Sequence, residues 1–187
     1  MPATVPITVC LLPHPATPCR ALDALEVDIV IGVDRGAHLE YRFAGRTGAI
    51  HWPEIAAGGA AERRDGLWRQ TCCEVFAGVP GDPSYCEFNF SPSGQWAAYA
   101  FSAERERVAD PAIDAPSIRV VRQAEDAVLS AVLPAGALPP GPRIEMNVSV
   151  VVEETDGRVS YWALRHPAAR PDFHQRAAFA LTLDRTA

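Results

Sequence analysis

The chain lacks any apolar run that approaches the roughly 18 residues of a membrane-spanning helix. Its start, MPATVPITVCLLPHPATP, carries no Lys or Arg, and prolines interrupt its apolar stretch. We therefore expect no signal peptide and no membrane association in the chain as given, and a cytoplasmic location. A periplasmic location is the alternative if a leader has been removed.

Basic residues are outnumbered: 17 Lys and Arg stand against 23 Asp and Glu, which leaves a net charge of −6 and a pI near 5.3. Binding to nucleic acid requires clustered Lys and Arg, and so does attachment to an anionic membrane surface. We therefore expect neither nucleic acid nor membrane as a partner, whereas a protein partner stays open. The mixed-sign runs at residues 62–65 and 104–107 are typical of solvated loops.

Complete catalytic signatures are also missing. The chain has no Gly-x-Ser-x-Gly motif, P-loop or dinucleotide fingerprint, and no Cys-x-x-Cys-His for covalent haem. Its five irregularly spaced cysteines do not fit a secreted disulfide framework. We therefore assign no catalytic residue and no metal ligand, and we favour a protein without enzymatic activity.

What the chain does contain is a succession of short β-type runs. Hydrophobic residues make up 48% of its 187 residues, enough to bury a core in a single domain over residues 1–187. We predict an all-β fold: an antiparallel β-sandwich of jelly-roll or immunoglobulin-like layering with little helix. The best helical candidate covers residues 18–26, and loops fill 56–65, 103–116 and 134–142. The ten predicted strands are residues 27–33, 37–43, 71–79, 84–91, 95–102, 117–123, 127–133, 144–154, 159–164 and 173–183.

The most informative segment is SYCEFNFSPSGQWAAYAFS, residues 84–102. Its turn SPSG has type I chemistry, with a glycine that can take a left-handed conformation. This turn pairs Phe90 with Trp96 on the core face of a hairpin. A turn shorter by one residue would instead place Trp96 beside Asn89 on the polar face, as part of a ligand site.

The other face of this hairpin combines the groups of a saccharide site. Tyr85, Glu87 and Asn89 alternate with core residues, and Tyr99 pairs with Glu87 across the hairpin. Carboxylate and amide groups match sugar hydroxyls, and an aromatic ring covers the apolar face of a sugar. These residues are therefore candidates for ligand binding, and a solvated outer sheet face without a ligand is the alternative.

A second polar set is expected near the end of the chain. Asp172, His174 and Arg176 alternate along the sequence, so on a strand they would share one face. His166 and His14 would join them if the two chain ends meet. The set is a candidate for binding a polar group, but it lacks the tight spacing of metal ligands.

Three blocks stand out together with His14-Pro15: DGLWRQTCCEVF at 65–76, YCEFNFSPSGQWAAY at 85–99 and HPAARPDFHQR at 166–176. They resemble the DOMON-like proteins, in a bacterial subgroup of uncharacterised function. The resemblance implies a β-sandwich of the broad group that includes family-nine carbohydrate-binding modules, whose members bind sugars or haem. It also implies ligand-binding roles for Trp68 and Glu74, which fall where those modules carry a tryptophan and an acidic residue.

The leading hypothesis is a non-enzymatic β-sandwich that binds a carbohydrate or related small polar ligand and needs no cofactor. One alternative is a haem b domain for electron transfer or sensing, with Met146 and one of His14, His166 or His174 as axial ligands. Another is an enzyme acting on a sugar derivative through acidic and His residues, with Glu74 and Glu87 as a carboxylate pair. The candidate ligand-binding residues are Trp68, Glu74, Tyr85, Glu87, Asn89, Tyr99, His166, Asp172, His174 and Arg176.

Overall fold

The computed structural model describes residues 6–54 and 62–184. Strands dominate it: no α-helix occurs among these residues, and none of their short 3-10 helices could cross a membrane. The 3-10 helices are Thr47–Ala49, Leu67–Arg69 and Arg176–Ala178. The strands are β1 (Ile7–Cys10), β2 (Leu12–Pro13), β3 (Leu22–Ile31), β4 (Ala37–Gly45), β5 (Cys72–Gly78), β6 (Tyr85–Phe90), β7 (Trp96–Phe101), β8 (Ser117–Arg122), β9 (Asp126–Leu133), β10 (Arg143–Glu153), β11 (Val159–Ala163) and β12 (Leu181–Asp184).

These strands form two antiparallel sheets that pack face to face. The first sheet has the order β1–β3–β4–β9–β8, and the second has the order β2–β11–β10–β5–β6–β7. Strand β12 pairs with the first residues of β10, beyond β11 along the same edge. The antiparallel β-sandwich predicted from the alternating runs is therefore confirmed.

The core between the sheets follows from this alternation. Leu39, Tyr41 and Phe43 of β4 are buried, while the residues between them are more exposed. Phe88 of the second sheet belongs to the same apolar cluster. The Tyr41 hydroxyl donates to the backbone oxygen of Glu74 at 3.1 Å, so its polar end has a partner inside the core.

The β6–β7 hairpin has the predicted register, with Phe90 opposite Trp96. The Ser91 N–H donates to the Gln95 backbone oxygen at 2.9 Å, which closes the turn. Gly94 has a φ of 85°, the left-handed value that the turn requires and that glycine adopts without a steric penalty. Trp96 is 6% exposed, so its prediction as a core residue is confirmed.

The chain from residue 18 to residue 26 contains no helix, and that prediction is wrong. Strand β3 begins at Leu22 because its alternating apolar residues Leu25, Val27 and Ile29 enter the core. The strand also has a neighbour along each edge, β1 and β4. Tertiary pairing thus overrides a weak local preference for helix.

The predicted strand at residues 173–183 is also wrong. The 3-10 helix Arg176–Ala178 interrupts it, and only β12 pairs with the sheet. Asp172, His174 and Arg176 therefore do not share a strand face. Strands β1 and β2 went unpredicted because both are short and lie at sheet edges. The predicted loops 103–116 and 134–142 contain no named strand, whereas residues 56–61 of the third lie outside the described residues.

The second sheet is buried on both sides. All seven residues of β5 are buried, including Glu74 and Phe76, which point away from the core. Residues 164–180, here called the covering segment, place Phe173 and Phe179 against Phe76. The alternative of a solvated outer face is therefore wrong, because this outer face is the floor of a second, smaller apolar cluster.

Candidate functional site

A cavity of about 480 Å³ opens on the outer face of the second sheet. Its size suits a small ligand, since such sites typically enclose about 300–1,000 Å³. Strands β5, β6 and β7 form its floor, while the 3-10 helix Leu67–Arg69, the loop after β7, strands β10 and β11, and the covering segment form its walls. The lining residues are Trp68, Glu74, Phe76, Glu87, Tyr99, Phe101, Arg105, Arg107, Val151, Tyr161, Pro171, Asp172, Phe173 and His174.

Two buried glutamates line the floor from neighbouring strands. Glu74 is 2% exposed and Glu87 is 5% exposed. Ser149 Oγ donates to Glu74 Oε2 at 3.4 Å, and Asn89 Nδ2 donates to Glu87 Oε1 at 2.8 Å. Burial raises the pKa of Glu87 to about 7, and burial together with the charge of Glu87 raises the pKa of Glu74 well above its usual range. The pair therefore retains protons at a pH where an exposed glutamate is ionised.

His174 is held beside Glu87 by Tyr85. The Tyr85 hydroxyl lies 2.8 Å from His174 Nδ1 and accepts the backbone N–H of Arg105 at 3.1 Å. This arrangement directs the hydroxyl proton to Nδ1 and favours the tautomer with the ring proton on Nε2, 3.7 Å from Glu87 Oε2. Burial, followed by the charge of Arg105, lowers the pKa of His174 to about 4, so the ring is neutral at pH 7.

Trp68 is the partly open aromatic wall of the cavity, with 40% of its surface exposed. Its ring meets the ring of Tyr99 edge to face, with centroids 5.9 Å apart. The Tyr99 hydroxyl donates to Asp65 Oδ1 at 2.9 Å, and the Arg107 guanidinium lies 4.3 Å from the centre of the Tyr99 ring. Tyr99 is thus fixed on both sides and supports Trp68 in an exposed position.

The two arginines of the cavity are already paired with carboxylates. Arg105 Nη2 lies 2.8 Å from Asp172 Oδ1. Arg107 Nη2 lies 2.8 Å from Asp110 Oδ2 and 3.7 Å from Asp65 Oδ1. These pairs leave the buried glutamates of the floor without an arginine partner in the described part of the chain.

The structure brings together most of the predicted ligand-binding residues. Tyr85 and Asn89 lie behind the cavity wall, where they hydrogen-bond to His174 and Glu87 and so position the groups that face the cavity. Six of the predicted residues line the cavity itself: Trp68, Glu74, Glu87, Tyr99, Asp172 and His174.

His14, His166 and Arg176 lie outside the cavity lining. The rings of His14 and His166 do meet, edge to face at 4.8 Å, and His166 Nε2 donates to the Leu12 backbone oxygen at 2.7 Å. Arg176 Nη2 pairs with Glu145 at 3.0 Å. These contacts fasten the covering segment to the second sheet, so the assignment of His166 and Arg176 to the ligand site has no support in this geometry.

The aromatic floor of the cavity was not predicted from the sequence. Phe76 follows Glu74 by two residues, and Phe101 follows Tyr99 by two, so each pair shares a strand face. Large aromatic residues on the polar face of the hairpin were the signal that another part of the chain covers it. Arg105 and Arg107 were missed because their mixed-sign run resembles an ordinary solvated loop.

Met146 does not face the cavity. It is fully buried between the two sheets beside Ile144 and Val148, on the opposite side of the second sheet from His174. The predicted haem pairing of Met146 with a histidine is therefore not formed, because axial ligands must converge on one iron. Within residues 6–54 and 62–184, no group of three or more His, Cys, Asp or Glu side chains is placed to hold a metal ion.

Comparison with solved structures gives the same fold. A protein from Bacteroides uniformis ATCC 8492, described as carbohydrate-binding, superposes with a TM-score of 0.65 at 17% identity, over 95% of this chain and 85% of its own. A family-9 carbohydrate-binding module from Caldicellulosiruptor kristjanssonii, solved with glucose, gives a TM-score of 0.53 at 8% identity, over 90% and 78% of the two chains. No family model and no curated protein matches the sequence. At these identities the likeness concerns the fold alone, an antiparallel β-sandwich.

Proposed function

We propose that this chain is a non-enzymatic binding protein for a saccharide, and that the cavity on the outer face of the second sheet is its site. The observation that carries the proposal is the half-open Trp68 ring, supported by Tyr99, beside the buried carboxyl groups of Glu74 and Glu87. An aromatic ring covers the apolar face of a sugar, while carboxyl groups bind its hydroxyls. The fold shared with a glucose-bound carbohydrate module is consistent with this use.

We also infer that the chain belongs with the DOMON-like proteins. The three blocks that carry this resemblance all contribute to the cavity. Residues 65–76 supply Trp68 and Glu74, residues 85–99 supply Glu87 and Tyr99, and residues 166–176 supply His174. The resemblance is thus concentrated where a ligand would bind, which supports a common role of these blocks in ligand recognition.

Tryptophan fluorescence and calorimetric titration against glucose, galactose, mannose and cellobiose test the proposal. We expect one of these sugars to change the emission of Trp68, and Trp68→Ala to weaken its binding at least tenfold, equivalent to about 1.4 kcal/mol. Val121→Ala is the control, because Val121 is an exposed apolar residue of the first sheet. Unchanged affinity in Trp68→Ala would show that the binding site lies elsewhere. If none of the sugars binds, the proposal of a saccharide-binding function is wrong.

The contact between His174 Nε2 and Glu87 Oε2 favours a second candidate function, acid–base chemistry on a bound sugar derivative. A carboxyl group that stays protonated near pH 7, such as that of Glu87, can act as the general acid of glycoside cleavage. Release of nitrophenol from nitrophenyl glycosides, abolished in Glu87→Gln, would establish this activity. Binding without any such release would leave the non-enzymatic proposal.

A further inference from the structure

Three buried acceptor oxygens of the second sheet have no hydrogen-bond partner among the described residues: Glu74 Oε1, Asn89 Oδ1 and Asn147 Oδ1. Their strands β5, β6 and β10 are neighbours, and in the register Glu74 lies opposite Asn89 while Asn147 lies opposite Phe76. Buried polar atoms normally have partners, and of these three residues Glu74 alone lines the cavity, so it is the one beside which a ligand's donor would lie.

The charges around the cavity point to a cationic group rather than a neutral donor. Neither Glu74 nor Glu87 forms an ion pair with an arginine in the described chain, because Arg105 and Arg107 are paired with Asp172, Asp110 and Asp65. The charges of Arg105 and Arg107 lower the pKa of Glu87 by less than burial raises it. His174 faces Glu87 but is neutral at pH 7. A buried carboxylate without a counter-charge is unfavourable, and a cation beside it removes that penalty.

The aromatic lining reinforces this preference. Trp68, Phe76, Tyr99, Phe101 and Phe173 all line the same cavity as the two carboxyl groups. The faces of aromatic rings attract ammonium groups, and most strongly where water is excluded. Aromatic walls around an unpaired carboxylate therefore suit a positively charged nitrogen.

We propose that the ligand of this cavity carries a protonated amino group, and that the saccharide it binds is an amino sugar. This inference rests on the saccharide function proposed above. The ammonium group donates to the Glu87 carboxylate, while the sugar ring lies against Trp68. An ammonium group has three donors and one positive charge, so it satisfies this floor better than a hydroxyl group, which has a single donor.

Calorimetric titration of the full chain at pH 7 with glucosamine, glucose and N-acetylglucosamine tests the inference. We expect glucosamine to bind at least tenfold more tightly than glucose, and N-acetylglucosamine to lose this advantage because acetylation removes the charge. In Glu87→Gln the ratio of glucosamine affinity to glucose affinity should fall below three, because the charge that attracts the ammonium group is gone. Glu40→Gln, the same change on the outer face of the first sheet, should leave the preference intact.

The possible results distinguish the amino-sugar inference from the proposed saccharide binding on which it rests. Equal binding of glucosamine and glucose by the wild-type chain would overturn the amino-sugar inference and keep saccharide binding. Binding of methylammonium without any sugar would support the cation site and overturn the saccharide function. If none of the three sugars binds, both fail. The wild-type comparison decides the question even if Glu87→Gln does not fold, and Glu74→Gln then serves as the second variant.

Discussion

The outer faces of the two sheets both carry carboxyl groups, but the pKa values of these groups are shifted in opposite directions. On the first sheet, Asp28 lies beside Arg42, whose guanidinium lowers the pKa of Asp28 to about 2. On the second sheet, burial raises the pKa of Glu87 to about 7. One carboxyl group lies on an exposed face with an arginine partner, and the other lies under a cover without one.

The covering segment makes this difference. The outer face of the first sheet is partly exposed: the side chains of Arg42 and Asp28 keep 34% and 24% of their surface accessible, so solvent screens their charges. The second sheet carries residues 164–180 on its outer face, and their aromatic side chains exclude water from Glu74 and Glu87. A polar strand face becomes a candidate ligand site when another part of the same chain covers it and leaves a cavity.

The largest change in stability is expected when the covering segment loses one of the aromatic rings that hold it on the second sheet. Phe173→Ala deletes a ring that contacts Phe76 and Tyr161, and we expect the free energy of unfolding to fall by about 3–5 kcal/mol. Urea unfolding monitored by fluorescence measures the change. Val121→Ala on the exposed face of the first sheet should change stability by less than about 0.5 kcal/mol. Equal effects of the two substitutions would contradict a covered second sheet.

The pH dependence of stability should have opposite signs for the two carboxyl groups. Because the folded-state pKa of Glu87 is raised, folding binds a proton between about pH 4.5 and 7, so its contribution to stability falls as the pH rises through this range. Glu87→Gln should therefore gain stability relative to wild type as the pH rises through that range, by more than about 1 kcal/mol. Asp28 has a lowered pKa, so its contribution is present above about pH 4 and is lost as the pH falls towards 2.

Urea unfolding of wild type, Glu87→Gln and Asp28→Asn at pH 3, 4.5, 6 and 7.5 measures both slopes. Asp28→Asn should cost less than about 1 kcal/mol, because its ion pair lies on an exposed surface. His174 remains in every protein compared, so its own titration largely cancels in the differences. A Glu87→Gln variant whose stability parallels wild type from pH 4.5 to 7.5 would show that Glu87 is not buried.

The smallest effect is expected from the ion pairs of the first sheet. Arg42 bonds to Asp28 and lies 3.5 Å from Glu26 and 3.6 Å from Glu40. Arg42→Ala should lower the free energy of unfolding by less than about 1 kcal/mol, and less in 1 M salt than in 0.1 M salt, because exposed charges are screened. Chemical unfolding in sodium chloride at the two concentrations tests this. A loss that salt does not reduce would mean that Arg42 acts mainly through packing.

Much of the fold could be predicted from the sequence because alternation and turn chemistry are local. The β6–β7 hairpin is the clearest case: its turn residues set the register that puts Trp96 in the core and Tyr99 opposite Glu87. That register also places Tyr85 and Asn89 beside the candidate site. The predicted helix at residues 18–26 was wrong because pairing with two neighbouring strands determines the structure there. The predicted strand at residues 173–183 was wrong because apolar contacts with the second sheet determine the path of that segment.

Which residues share a strand face can be read from the sequence, since a strand alternates its side chains and turns set the pairing. It thereby placed Glu87, Asn89 and Tyr99 together. Three features come from the folding of distant segments onto each other: this face is covered, His174 reaches Glu87 from 87 residues away along the chain, and Met146 lies on the other side of the sheet. Burial and the pKa values that follow from it depend on contacts between distant segments, and alternation within one segment carries no information about those contacts.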